Sequence, residues 1–332
     1  MASASHQNRR NALKQTAKET KAMTPTIAAS LPHLNPSVSL SFALETLPPL
    51  DPAKCPRFRL SPNPTTPGTP ISVLDSDSFD AAITMPSSIF SLTSSDTSTT
   101  LEKESSILTL LQESASAPFN LNPATASRVA VLNMASEHNP GGGWMNGAAA
   151  QEEALCFRST LASSLHKSRH YPIPDRCGLW TKDVVIFRTS MAQGHELTVP
   201  AVEVEKLPVV SVLSVAGIRR PRVEVVEGRS VFAEAKDREL TKDKMRICLR
   251  MAAERGHTML VLGALGCGAF RNPPEEVADC WGEVLREREF AGGWFKAVWF
   301  AVFDRKRDGN LPIFKGRLDG KVVGFVEPEK GV

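Results

Sequence analysis

Residues 129–153 read Val-Ala-Val-Leu-Asn-Met-Ala-Ser-Glu-His-Asn-Pro-Gly-Gly-Gly-Trp-Met-Asn-Gly-Ala-Ala-Ala-Gln-Glu-Glu. An apolar run at 128–134 has the composition of a buried strand. It feeds a loop with no side chain at Gly141, Gly142 or Gly143. Glycine adopts positive φ without steric cost and lets backbone approach a ligand closely. Seven residues later come Gln151, Glu152 and Glu153, where a helical pattern begins. Carboxylates beside a ligand-holding loop suit acid–base chemistry on whatever the loop holds.

The same grammar repeats outward from this stretch. Apolar strands are expected at 71–74, 184–189, 209–216, 259–262 and 297–303. Helices are expected at 79–85, at 151–165 (apolar face Ala154, Leu155, Leu161, Ala162, Leu165), at 240–255 before Gly256, and from Pro273-Pro274 onward. Strands alternating with amphipathic helices predict an α/β fold, a three-layer α/β/α domain around a mixed sheet. In such sheets ligands sit outside the carboxyl ends of the strands, and both glycine-rich loops follow strands.

The N-terminal third has a different texture. Residues 7–23 read as a basic helix carrying Arg9, Arg10, Lys14, Lys18 and Lys21, for which a solvated face is the simplest account. Residues 25–70 are rich in Pro, Ser and Thr and 87–106 are of low complexity, so part of this region is expected to be disordered. The division is a basic helix at 1–24 on or near the domain, an N-terminal part at 25–127 with these insertions, and a catalytic core at 128–325. The 332 residues carry a net charge of only +3, which argues against a dedicated nucleic-acid binder. Six scattered cysteines without a CxxC pair point to a reducing compartment, nuclear or cytoplasmic. No stretch has the length and apolarity of a membrane span.

The second loop, Gly263-Ala264-Leu265-Gly266-Cys267-Gly268-Ala269-Phe270, lies between a strand and a helix. It is neither a Gly-Lys-Ser/Thr loop nor a clean GxGxxG. It can turn backbone N–H groups toward a phosphate, or serve as a structural tight turn. Phe270 can pack in the core or stack on a ligand ring. Glu152 and Glu153 can be ordinary first-turn acids favoured by the helix dipole. A general acid there needs burial and a like charge to outweigh that dipole.

A triple glycine followed after seven residues by Gln-Glu-Glu resembles the signature of the poly(ADP-ribose) glycohydrolase family, in its compact bacterial and fungal branch. Residues 135–141, 154–161 and 262–274 look like its loop start, helix and diphosphate loop; 17–20 and 310–314 also look familial. The resemblance implies a macrodomain-like fold with an N-terminal helical extension, an ADP-ribose pocket and a glycosidase activity that reverses ADP-ribosylation, as in the DNA damage response. It implies that Glu153 protonates the leaving oxygen and then deprotonates the attacking water, while Glu152 holds a ribose hydroxyl. Gly141, Gly142 and Gly143 would pass under the diphosphate and scissile ribose, and Gln151 would help fix the loop. Gly266, Cys267, Gly268 and Ala269 would give N–H groups to the diphosphate, and Phe270 would pack on the distal ribose. No metal or cofactor is required, because a positioned carboxylic acid suffices for a departing sugar oxygen. The expected partners are poly(ADP-ribose) or ADP-ribosylated protein, acted on by a monomer mainly from chain ends. Removal of single ADP-ribose groups and non-catalytic ADP-ribose reading are the alternatives. The family's Pro-Ala-Pro-Asn-like turn is replaced by Ala216-Gly217-Ile218-Arg219-Arg220-Pro221, which leaves the adenosine side open.

Overall fold

The computed structural model describes residues 2–56, 68–93, 128–304 and 309–324. Of the 25–70 and 87–106 stretches expected to be partly disordered, 57–67 and 94–106 lie outside the described residues, as does 107–127, whereas 25–56 are described and include the end of the first helix and the first strand. The strands are β1 (Ser39–Ala43), β2 (Thr69–Leu74), β3 (Val129–Ala135), β4 (Cys177–Val185), β5 (Val209–Ala216), β6 (Val223–Val226), β7 (Arg229–Phe232), β8 (Met259–Leu262), β9 (Ala297–Ala301) and β10 (Val322–Val323). The helices are α1 (Ala2–Ser30), α2 (Ser78–Thr93), α3 (Gln151–Arg158), α4 (Lys167–His170), α5 (Ala235–Glu254), α6 (Pro274–Val284) and α7 (Asn310–Leu318).

Eight strands form one mixed sheet in the order β1-β4-β5-β3-β8-β9-β2-β10, and β6 and β7 make a separate hairpin. The central run β5-β3-β8-β9-β2 is parallel, and β1, β4 and β10 add antiparallel edges. Side chains alternate across β3. Val129 and Val131 join the core under α1, α2 and α3, whereas Ala130 and Leu132 join the core under α5, α6 and α7. The sheet is therefore covered on both faces, the three-layer arrangement expected of buried parallel strands. The sequence reading begins the core at 128; β1 and β2 of the preceding segment belong to the same sheet, and α2 packs into the core beside it.

The structure departs from the sequence reading most at three elements. The helix from Gln151 stops at Arg158, not at 165. Ser159 turns extended and bridges to Ile186, and the N–H groups of Phe187 and Arg188 take the Arg158 carbonyl. Leu161–Ser163 is one 3-10 turn. The strand expected at 184–189 lies earlier, at Cys177–Val185, where β1 pairs with its first half. The N-terminal helix is longer than 7–23 and is not merely a solvated rod. Leu13, Ala17, Thr20, Thr24 and Ile27 form a buried stripe, while Arg9, Arg10, Lys18 and Lys21 stay exposed.

Candidate active site

The site is made by parallel neighbours ending together. Ala135 of β3 pairs with Ala216 of β5, and β8 lies on the other side of β3. The loops at 136–150, 217–222 and 263–273 therefore leave from one edge of the sheet, at the carboxyl ends where open α/β sheets hold ligands. Gly141 and Gly142 have φ of 68° and 60°. The turn is closed by the Gly142 N–H to the Asn139 carbonyl (2.8 Å), and Trp144 is buried beneath it, edge-on to Phe157 at 6.2 Å. A Cβ on Gly142 would collide with Glu153 Oε1 and lie 3.0 Å from Glu152 Oε2. Both carboxylates thus reach the same point above Gly142, and only glycine leaves room for them.

Each carboxylate is held by backbone. The Gly143 N–H donates to Glu153 Oε1 (2.8 Å) and the Ala150 N–H to Glu153 Oε2 (2.9 Å). Glu153 thereby links the glycine turn to the start of α3, as an N3 acid does when it reaches back to the N-cap. The Ser136 N–H donates to Glu152 Oε2 (2.7 Å), and Asn133 Nδ2 lies 3.4 Å from Oε1 while also donating to Ser214 Oγ (3.0 Å). Glu152 is nearly sealed from solvent. Burial, reinforced by the Glu153 charge, pushes its carboxyl up to about 8 against the hydrogen bonds that favour ionisation. Burial thus outweighs the hydrogen bonds at Glu152, and the raised value favours its protonated form at neutral pH.

The second loop is a tight turn. The Cys267 N–H takes the Ala264 carbonyl (3.1 Å), and the Asn272 N–H takes the Gly266 carbonyl (3.0 Å). Gly266 (φ 75°) has Asn272 Nδ2 2.5 Å from where a Cβ would sit, and the same Nδ2 donates to the Ile218 carbonyl (2.6 Å). Among the described residues the N–H groups of Gly266, Gly268 and Ala269 take no hydrogen bond, and Gly268 and Ala269 are exposed. Phe270 is half-buried at the end of the loop. Among the described residues no three His, Cys, Asp or Glu side chains converge as a metal site needs.

The family model described as "Microbial-type PARG, catalytic domain" matches residues 7–190, from α1 through the glycine turn and α3 to just beyond β4. The chain belongs to this family. Solved structures agree in fold. The poly(ADP-ribose) glycohydrolase of Thermomonospora curvata superposes with a TM-score of 0.62 at 21% identity, covering 92% of this chain and 99% of that one. The same enzyme bound to the inhibitor ADP-HPD gives 0.61 at 23% identity, with the same coverage. The Deinococcus radiodurans enzyme in complex with ADP-ribose gives 0.56 at 26% identity, covering 84% of this chain and 94% of that one. No curated protein matches.

As a PARG catalytic domain, the chain brings Gly141, Gly142, Gly143, Glu152 and Glu153 together at one point. The Gly266–Phe270 turn lies across the edge of the sheet, where a Cβ on Gly217 would be 3.0 Å from Gly266 Cα. Two of the expected site residues are engaged by the scaffold itself. The Gln151 side chain faces the scaffold: Oε1 accepts from the Met134 N–H (2.9 Å), and Nε2 donates to the Leu132 carbonyl (2.7 Å) and to Ser78 Oγ (3.1 Å). It pins the start of α3 to β3 and α2. The Cys267 N–H is engaged within its own turn, because a tight turn closes on its carbonyl three residues back. Two contributors were missed. Asn133 looks like an ordinary strand residue, and a polar side chain in an otherwise apolar run was the available signal. Tyr171, the only tyrosine of the chain, has a buried hydroxyl with no hydrogen-bond partner among the described residues, and burial pushes its ionisation upward.

Proposed function

We propose that the chain hydrolyses the ribose–ribose O-glycosidic bonds of poly(ADP-ribose), with Glu153 as general acid and then general base. The observation that carries this reading is the convergence of two carboxylates over Gly142, at the start of a helix and beside a loop with unengaged N–H groups. Gly266, Gly268 and Ala269 present N–H groups to the diphosphate, and Phe270 packs on the distal ribose. Protonated Glu153 gives its proton to the bridging ribose oxygen as the anomeric C–O bond breaks. An oxocarbenium-like centre develops, and the resulting Glu153 carboxylate stabilises it. Water then adds to the anomeric carbon and its proton returns to Glu153. Glu152, already neutral, can donate to or accept from a ribose hydroxyl without adding a second anion.

The six cysteines are all free thiols, which favours a reducing nuclear or cytoplasmic setting. Incubation with purified poly(ADP-ribose), following free ADP-ribose and polymer length together, tests the reading. Free ADP-ribose with a gradually shortening polymer is expected of cleavage from chain ends. Early oligomers would indicate internal cleavage. Absence of release, with ADP-ribose still bound, would leave a reader or an enzyme for single protein-linked groups.

A further inference from the structure

We propose that Arg219, Arg220, Arg222 and Arg271 form a second subsite, which holds a diphosphate of an ADP-ribose unit adjacent to the one in the pocket. This rests on the proposed polymer substrate. Two turns build the place. The chain leaving β5 meets the diphosphate turn at Gly217 against Gly266, the Ile218 carbonyl accepts from Asn272 Nδ2, and the Arg220 N–H donates to the Phe270 carbonyl (2.8 Å). The 217–222 and 266–272 segments are thus stitched into one rim beside the N–H groups proposed for the first diphosphate.

The charge of this rim has no internal purpose. All four arginines are exposed, and among the described residues none of their side chains makes an ion pair or hydrogen bond. Elsewhere in the fold Arg128, Arg158, Arg188, Arg238, Arg246 and Arg250 are each paired with carboxylates. Arg220 and Arg271 also hold left-handed backbone, with φ of 53° and 57°, a conformation costly for a side-chain-bearing residue and concentrated at functional sites. The nearest acids in sequence are Glu224 and Glu227 on the β6–β7 hairpin and Glu275 and Glu276 in the first turn of α6, where Glu276 is paired with Arg238. A polymer carries a diphosphate in every unit, so the unit joined to the bound one brings a second pair of phosphate charges to this part of the molecule. Guanidinium groups suit it because they bind phosphate oxygens bidentately and stay charged.

The test compares binding of long poly(ADP-ribose), free ADP-ribose and a single-stranded oligonucleotide of equal charge, using the full chain with Glu153→Gln so that polymer survives. In the combined variant Arg219→Gln, Arg220→Asn, Arg222→Gln and Arg271→Asn, asparagine is chosen where left-handed backbone is required. Polymer affinity is expected to fall at least tenfold and ADP-ribose affinity to stay within twofold. The slope of log affinity against log salt is expected to flatten by about 0.7 for each phosphate no longer neutralised. The four lysine replacements are expected to restore most polymer affinity. Unchanged polymer affinity and salt slope would overturn the subsite. So would an equal drop in affinity for the oligonucleotide, which would mean nonspecific charge. Failure of wild type to release ADP-ribose from polymer would instead strike the proposed function.

Discussion

Glu152 and Gly142 make the chemistry depend on single atoms. The Glu152 carboxyl is raised in the folded chain from 4.5 to about 8, so its stabilising contribution is present below the unfolded value and is lost as pH rises through the folded one. Over that window the unfolded chain ionises Glu152 while the folded chain keeps it neutral. At about 1.36 kcal/mol per pKa unit, the loss is on the order of a few kcal/mol. Glu152→Gln removes the ionisation and keeps an acceptor for the Ser136 N–H. Thermal melts from pH 5 to pH 9 are expected to show wild type losing stability relative to Glu152→Gln as pH rises; parallel curves would refute the buried neutral carboxyl. Gly142→Ala places a methyl group against Glu153 Oε1 at a φ of 60°. Left-handed strain alone costs on the order of 1–3 kcal/mol, and an ångström of displacement at a reacting group costs roughly 100-fold in rate. A lower melting temperature and a loss of ADP-ribose release on that scale are expected.

The short helix α3 acts through what holds its two ends. Gln151 ties its start to β3 and α2, and Thr20 Oγ of α1 donates to the Phe157 carbonyl near its end (2.7 Å). Arg158, fully buried, closes it. Its guanidinium pairs with Asp77 and with Asp80 (2.6 Å), and Nε donates to the Arg188 carbonyl (3.2 Å). Removing one partner of a buried ion pair costs roughly 3–5 kcal/mol, because the other charge is left stranded. Arg158→Leu is expected to cost that much in urea unfolding, and to cut ADP-ribose release although it touches no substrate. The apolar pattern of 151–165 did not disclose this closure. It continues smoothly past Arg158, and only the capture of Ser159 by the 186–188 segment ends the helix. β4 was hidden for the opposite reason. Its Gly178, Thr181, Lys182 and Asp183 break the apolar run, and Asp183 is tolerated there because it pairs with Arg128. The buried stripe of α1 was hard to see because it mixes threonines, Thr20 and Thr24, with its apolar members.

At the scale of the whole molecule, the site exists because β5, β3 and β8 end together, so loops far apart in sequence form one rim. The central strands 209–216 and 259–262, the glycine turn and the Gln-Glu-Glu step were legible because buried parallel strands are continuously apolar and the motif is local. The edges β1 and β10, the β6–β7 hairpin and the pairing of Arg220 with Phe270 depend on contacts between segments that no local pattern announces. The most direct test of the central claim compares wild type with Glu153→Gln, following free ADP-ribose released from poly(ADP-ribose) and ADP-ribose binding by calorimetry. Release by wild type is expected, reduced roughly 100- to 10,000-fold in the variant, the range general acid–base catalysis supplies, with ADP-ribose affinity retained. Release at the wild-type rate by Glu153→Gln would contradict the assignment.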